Sequence, residues 1–143
     1  MKDLLNNTKV MTSMHAHADT AGGGAIDPNV LVDRNGYESA VLEVFIGTIS
    51  STGGTYTIVC LESDDSTVGN GTVATAVTND GNTVATFSAG PAIDKRILRL
   101  AYHGTKRWIG VRVTDAASGG TTNVVGGNVI LGNPRFAGQT QFS

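Results

Sequence analysis

Residues 39–48 of this 143-residue chain, SAVLEVFIGT, give the clearest strand pattern in the sequence. Side chains along a β-strand alternate between two faces. The alternation puts three aliphatic side chains on one face: Leu42, Val44 and Ile46. Val41 and Phe45 share the other face, with Glu43 between them. A strand that is apolar on both faces lies at the centre of a covered sheet or faces another subunit.

Comparable apolar and β-branched runs recur along the chain, separated by segments rich in glycine and short polar residues. The other predicted strands cover 8–18, 30–32, 55–62, 72–78, 83–88, 95–102, 107–114 and 123–132. Residues 19–29, with three consecutive glycines and an Asp-Pro step, are predicted to form a loop. This spacing predicts an all-β fold, an antiparallel β-sandwich or jelly roll of about eight or nine strands. We expect an N-terminal arm at 1–7, a single β-sandwich domain at 8–143 and an irregular tail from residue 133.

Turn residues predict how some of these strands connect. Asn35-Gly36 predicts a turn before the central strand. Asp80-Gly81 separates the runs 72–78 and 83–88, and a type I′ hairpin turn favours this dipeptide because both central residues need positive φ. Gly126-Gly127 in the last strand predicts a bulge or a close backbone approach.

A second hairpin is predicted around HGTK at 103–106, between the strands 95–102 and 107–114. Alternation selects the side chains that we expect to pair in the core: Leu98, Leu100, Tyr102, Ile109, Val111 and Val113. The opposite face is expected to carry Ile97, Arg99, Trp108 and Arg112.

Composition excludes several classes of protein. Charged residues make up only 15% of the chain and the net charge is −2, which argues against disorder and gives no basic stripe for nucleic acid. Cys60 is the only cysteine, so an internal disulfide is impossible. The start lacks the apolar core of a secretory signal, and no run approaches the roughly 20 apolar residues that cross a bilayer. We therefore expect synthesis in the cytoplasm and no membrane partner.

Candidate chemistry is sparse. His15 and His17 lie two residues apart on a predicted strand, which suits a metal or an exposed polar face, with Asp19 beyond a turn. The acidic run at 62–66 suits a calcium loop or Asx turns. Neither pattern carries a full ligand set, and no nucleophile elbow or phosphate loop occurs. We expect no catalytic residue, no metal and no cofactor, and hence no enzyme.

Much of the positive charge lies in or beside the second predicted hairpin. The residues concerned are Lys95, Arg96, Arg99, Lys106, Arg107 and Arg112. One interpretation is a patch for an acidic protein surface, or cation–π contact with Trp108. The other is a solvated face that keeps the strands soluble.

Three separated segments resemble a group of small virion proteins of tailed bacteriophages. They are LVDRNGYESAVLEVFIGTIS at 31–50, YTIVCLESDDS at 56–66 and LRLAYHGTKRWIGVRVT at 98–114, followed by a closing NVILGNPR. The most specific motifs are Gly36-Tyr37, the E-S-D-D run at 62–65 and the Y-x-G-x-K-R run at 102–107. The resemblance covers about residues 30–134. It departs after residue 66, where the group carries a bulkier strand.

The resemblance implies a non-enzymatic virion component, and most specifically a decoration (cement) protein that stabilises the outer head surface. Its implied partners are the major capsid protein and two further copies in a trimer, without nucleic acid or membrane. We predict contacts with the capsid or another subunit at Met1, Leu4, Leu5, Val41, Phe45, Arg99, Trp108 and Arg112. Alternatives are a head–tail connector, tail or spike component, and a carbohydrate- or receptor-binding module.

Overall fold

A computed structural model describes residues 7–19, 24–47, 55–74, 77–78, 85–88, 97–115 and 123–134. Within these ranges the chain forms eleven β-strands and a short 3-10 turn at Val68–Asn70. The strands are β1 (Thr8–Asp19), β2 (Gly24–Ile26), β3 (Val32–Asp33), β4 (Tyr37–Ile46), β5 (Thr55–Ser63), β6 (Thr72–Val73), β7 (Val77–Thr78), β8 (Ala85–Ser88), β9 (Ile97–Tyr102), β10 (Trp108–Asp115) and β11 (Asn123–Pro134). The nearly all-β prediction is confirmed. The arm at 1–6 and the tail beyond 134 lie outside the described residues, and the single-domain boundary stays a prediction.

The strands form two antiparallel sheets packed face to face. Sheet A has the order β1-β11-β4-β9-β7. In sheet B, β10 and β5 are central, β2 and β3 share the outer edge of β10, and β6 and β8 share the outer edge of β5. Five positions in sheet A and four in sheet B give nine positions, as predicted. With β7 left out, the strand positions can be numbered 1 to 8 in chain order. Positions 1, 8, 3 and 6 lie side by side in sheet A, and positions 2, 7, 4 and 5 lie side by side in sheet B. This order is jelly-roll connectivity.

The predicted central strand is central. β4 pairs with β11 on one side and with β9 on the other, and the inward face of β4 is buried between the sheets. Together the two sheets enclose one core of mainly aliphatic residues: Met14, Val32, Tyr37, Ala40, Leu42, Val44, Ile46, Ile58, Cys60, Ala74, Leu100, Tyr102, Ile109, Val111, Val113, Val125, Val129 and Leu131.

The predicted hairpin between 95–102 and 107–114 is wrong, although its core face is correct. β9 pairs with β4 and β7 in sheet A, whereas β10 pairs with β5 in sheet B. The inward side chains of β9 and β10 therefore meet across the sandwich instead of side by side. Alternation identifies the buried face of each strand, and this face is the same in both arrangements.

The predicted hairpin around Asp80-Gly81 is also wrong in its pairing. β6 and β8 both pair with β5 in sheet B, while β7 pairs with β9 in sheet A. The run 72–78 thus changes sheets within a few residues, which a continuous β-branched pattern does not reveal. The Asp80-Gly81 dipeptide lies outside the described residues.

The predicted loop 19–29 contains a strand. β2 pairs with the last three residues of β10, so its conformation depends on backbone hydrogen bonds and not on a side-chain pattern. The predicted strand 30–32 is shorter and lies later in the chain, since only Val32 and Asp33 pair with β10. Val30 is exposed, and the buried Leu31 side chain lies against Gly110.

On one edge of β10, β2 pairs with the end of the strand and β3 with its start, which leaves a gap between them. The side chain of Ser13 fills this gap. Its hydroxyl accepts a hydrogen bond from the Val111 amide at 3.1 Å and donates one to the Val30 carbonyl at 3.0 Å. Its own carbonyl accepts the Asn29 and Val30 amides. The Ser13 side chain is fully buried and belongs to a strand of sheet A, so it links the two sheets.

The glycine pair of β11 allows close approach on both faces, although side chains approach it and not the backbone that was predicted. A Cβ at Gly126 would lie 2.2 Å from the Phe45 ring on the outer face. A Cβ at Gly127 would lie 3.0 Å from Val111 of the opposing sheet. The predicted bulge does not lie in β11, which pairs with β4 in unbroken register through the glycine pair. The two register shifts lie in its other neighbour, β1, on either side of Met14.

Replacing Ser13 by alanine tests its role in joining the sheets. Ser13→Ala leaves the buried Val111 amide and the Val30 carbonyl without their partner, so we expect a loss of about 1–3 kcal/mol in the free energy of unfolding. Urea denaturation measures this loss. Ser66→Ala, at an exposed loop serine, is the control and should change stability by less than about 0.5 kcal/mol. Equal effects of the two substitutions would contradict the assigned role.

Candidate functional surfaces

The three motifs of the resemblance converge at one end of the sandwich. They are the turn 34–37 before β4, the end of β5 with its loop at 62–65, and the connection 102–107 from β9 to β10. We call these three segments the motif corner. Each contacts another through side chains, although up to about 70 residues separate them in sequence.

Tyr102 occupies the centre of the motif corner. Its hydroxyl donates a hydrogen bond to Glu62 Oε2 at 2.6 Å and accepts one from the Lys106 amide at 3.1 Å. Gly104 lies against the ring, where a Cβ would come within 2.3 Å of the hydroxyl oxygen. The Y-x-G-x-K-R motif therefore holds the chain as it crosses from sheet A to sheet B.

Arg34 closes the motif corner from the other side. Its guanidinium carbon lies 5.2 Å from the centre of the Tyr102 ring, and its Nε donates to the Lys106 carbonyl at 2.7 Å. The Arg34 carbonyl accepts the Tyr37 amide, which forms the predicted turn, and Gly36 adopts a φ of 87° there. Glycine suits this left-handed conformation because it has no Cβ.

The acidic loop uses its carboxylates to shape itself. Asp65 accepts hydrogen bonds from the Thr67 amide at 2.7 Å and from Asn70 Nδ2 at 3.0 Å. The Asn70 side chain and then the Thr67 amide lower the pKa of Asp65. Asp64 pairs with Lys106. Of the two interpretations of the run 62–66, these contacts favour Asx-type turns over a calcium loop.

His15 of the predicted histidine pair lies beside a groove between the edge strands β1 and β2. This groove has a volume of about 530 Å³ and is lined by residues 14–16 and 24–27 with Asn29. The His15 amide donates to Asn29 Oδ1 at 2.7 Å. No group of three His, Cys, Asp or Glu side chains able to hold a metal occurs among the described residues. The His17 and Asp19 side chains lie outside that description.

Every described member of the basic cluster has an acidic partner. The pairs are Arg99 with Glu43, Lys106 with Asp64, Arg107 with Asp33, and Arg112 with Asp27. The Arg107 hydrogen bond lowers the pKa of Asp33, and the Arg107 guanidinium also lies 5.3 Å from the Trp108 ring centre. These contacts favour a paired, solvated surface over a free basic patch; Lys95 and Arg96 lie outside the described residues.

The predicted contact residues fall on opposite sides of the molecule. Val41, Phe45 and Arg99 share the outer face of sheet A, because β4 and β9 are neighbours there. Trp108 and Arg112 lie on the outer face of sheet B. One flat interface therefore cannot include both groups. The remaining predicted contacts lie outside the described residues: Met1, Leu4 and Leu5.

The outer face of sheet A carries a continuous apolar row. Val10, Ile130, Val41 and Ala101 are successive cross-strand neighbours on β1, β11, β4 and β9. Val10 is 60% exposed at one end of this row. Of this row, only Val41 was predicted as a contact residue. Alternation within a strand shows which residues share a face of that strand, but the alignment of Val10, Ile130 and Ala101 with Val41 follows from long-range register.

No helix among the described residues is long and apolar enough to cross a membrane.

Removing the Tyr102 hydroxyl tests the motif corner. Tyr102→Phe leaves the Lys106 amide and the half-buried Glu62 carboxylate without a partner, and we expect unfolding to become easier by about 1–3 kcal/mol. Tyr37→Phe, which removes the hydroxyl of another buried tyrosine of the same core, is the matched control. Thermal and urea denaturation compare the variants. A Tyr102→Phe protein as stable as the control would contradict the structural role of the motif.

Alkaline pH is expected to destabilise the fold. Burial raises the pKa of Cys60 from 9.0 to about 12, and burial followed by the Glu62 hydrogen bond raises the pKa of Tyr102. As the pH rises, Cys60 and Tyr102 therefore lose their protons in the unfolded chain before they do so in the folded chain. The free energy of unfolding keeps its full value below about pH 9 and falls as the pH rises toward 12. Urea midpoints between pH 8 and 11 measure the decline. Cys60→Ala should make it shallower, and an unchanged slope would contradict the assignment.

Comparisons with known proteins establish likeness of fold only. No family model matches the chain, and no curated protein matches it. A chain in the structure of infectious bursal disease virus (Gx strain) superposes with a TM-score of 0.50 and 14% identity, over 93% of this chain and 33% of that one. The present chain thus spans about a third of the virus chain.

Two other solved structures show weaker likeness. One belongs to the Bacillus endospore appendages, a family of disulfide-linked pili, with a TM-score of 0.38, 12% identity and coverage of 94% of this chain and 96% of that chain. The other is the CBM22-1–GH10 part of Clostridium thermocellum xylanase 10B with xylohexaose, with a TM-score of 0.43, 11% identity and coverage of 97% and 28%.

Proposed function

We propose that the chain is a non-enzymatic structural protein of a tailed-bacteriophage virion that decorates the outer surface of the head. The resemblance of its three motifs supports the virion assignment. The jelly-roll connectivity agrees with it by analogy, since this fold recurs in viral capsid domains but also in lectins. In the motif corner, the acidic, basic and tyrosine side chains bind one another and so stabilise the fold. This arrangement supports a structural role.

The observation that carries the decoration role is the exposed apolar edge of sheet A. β1 is a twelve-residue edge strand, and Val10 and Met11 near its start are 60% and 36% exposed. Edge strands offer backbone groups for pairing with another chain, and flanking side chains add specificity. β1 also directly follows the predicted arm with Met1, Leu4 and Leu5, so arm and edge form one continuous contact for the major capsid protein.

Weak contacts of this kind suit a protein that is present in many copies. Each contact needs little affinity if one molecule touches several shell subunits at once, because the later contacts form at high effective concentration. The three-fold arrangement on the shell rests on the resemblance alone.

A carbohydrate-binding role is less well supported by the aromatic residues. Tyr102 is buried in the motif corner, and Trp108 is half-buried against Arg107. Neither ring forms the exposed platform that sugar stacking needs. Phe136 and Phe142 lie outside the described residues.

Binding to heads tests the decoration role. Purified protein is mixed with expanded, decoration-free heads of the phage that encodes it, and the copies bound per head are measured at saturation. We expect hundreds of copies and a higher temperature of head disruption. Val10→Asp should weaken binding roughly tenfold or more, since it places a charge in an apolar contact. Val73→Asp, at a 48%-exposed valine of sheet B, is the matched control.

A handful of bound copies, or none, would contradict the decoration role and would favour a connector, tail or spike position. Equal loss in both valine variants would contradict the placement of the shell contact on β1.

A further inference from the structure

The centre of sheet A presents an ordered pattern of side chains to the outside. On the outer face, β4 and β9 form three successive cross-strand pairs: Val41 with Ala101, Glu43 with Arg99, and Phe45 with Ile97. A pair of opposite charges thus lies between two apolar pairs. Ile97, the first residue of β9, is 58% exposed at one end of this pattern.

The charged pair is firmly positioned. Arg99 donates to Glu43 Oε2 from Nε at 2.9 Å and from Nη2 at 2.8 Å. The Arg99 side chain is 65% exposed, whereas that of Glu43 is only 16% exposed. The guanidinium therefore stands above the face with donors left for another acceptor, since an arginine has five N–H groups.

The surface around this pair is low and flat. The Phe45 ring lies over Gly126, where a Cβ would come within 2.2 Å of it. Gly132 and Ala101 add no bulk to the outer rows. Sheets pack face to face at about 10 Å when side chains of moderate size interdigitate, and this face meets that condition.

The pattern is self-complementary under a two-fold axis that runs along the strands midway between β4 and β9. Such an axis lays β4 of one copy over β9 of the other. Glu43 then faces Arg99 of the second copy and Phe45 faces its Ile97, because each pair is in register. An isologous dimer requires this kind of match.

We propose that the outer face of sheet A binds the same face of a second copy of this chain, related by that two-fold axis. The two Glu43–Arg99 pairs of the dimer stack into a four-charge group of alternating sign, flanked by the apolar pairs. A three-fold axis cannot place this face against itself, so the proposed contact gives dimers and not trimers.

The size of the face sets the expected affinity. β11, β4 and β9 lie about 4.8 Å apart and overlap over some six residues each, which presents on the order of 300 Å² per copy. A standard stable interface buries about 800 Å² per partner, so we expect a dimer that forms in the micromolar range. β1 lies outside the overlapping strands, which leaves the proposed shell contact open. The dimer does not depend on the decoration role.

Charge reversal and recombination test the proposal. Analytical ultracentrifugation of the intact chain from a few micromolar to about a millimolar should show the mass rising toward twice that of the monomer. Glu43→Arg and Arg99→Glu each place like charges across the axis, and each should weaken dimerisation roughly tenfold or more. An equimolar mixture of the two variants should dimerise again, because an Arg–Arg face then meets a Glu–Glu face.

Controls separate a lost contact from a lost fold. Circular dichroism establishes that each variant is folded, and Ile97→Asp on the same face replaces any charge variant that is not. Val73→Asp adds a charge at an exposed position of sheet B, away from this face, and should leave dimerisation unchanged.

Several outcomes would overturn the proposal: a monomer at every concentration, a trimer, single variants that associate like the parent chain, or a mixture that stays monomeric. A chain that dimerises but does not bind heads would contradict the decoration role alone. A chain that binds heads without dimerising would contradict the dimer alone.

Discussion

The hydrogen bond from the Tyr102 hydroxyl to Glu62 is the interaction on which the rest of this structure depends. It joins β9 of sheet A to β5 of sheet B, at the point where the chain passes from one sheet to the other. The same hydroxyl fixes the Lys106 amide, and the ring carries Arg34. A buried polar contact of this kind is favourable only when every member has a partner. The three segments of the motif corner are therefore, first of all, requirements of this crossing.

The sequence was a good guide to buried faces and a poor guide to strand neighbours. Alternation in 39–48 predicted the strand and its buried face, and it left open whether the second apolar face is covered or faces another subunit. In 95–114 it identified the inward residues of β9 and β10 but paired the strands wrongly, because consecutive strands of a jelly roll often lie in opposite sheets. β2 could not be predicted at all, as its residues form a strand only through β10.

The candidate surfaces were predictable to a similar degree. Val41, Phe45 and Arg99 were selected from two strands whose adjacency was unknown, and the register brings them together. Val10 and Ile130 join the same face through pairing of β1 with β11, about 120 residues apart in the chain. Such pairing depends on long-range register, which local patterns do not encode. The Glu62 and Lys106 contacts of the motif corner were beyond reach for the same reason.

The position of β11 has a consequence for how the protein is made. β11, at residues 123–134, lies between β1 and β4, so neither of these early strands has its full set of neighbours until β11 has been synthesised. During translation the ribosome therefore releases a long chain with exposed apolar strands and no complete sheet A. Folding must follow synthesis of almost the entire described sequence, and the large loops that close then make it slow. Where many copies are synthesised at once, such nascent chains would depend on chaperones to avoid pairing with one another.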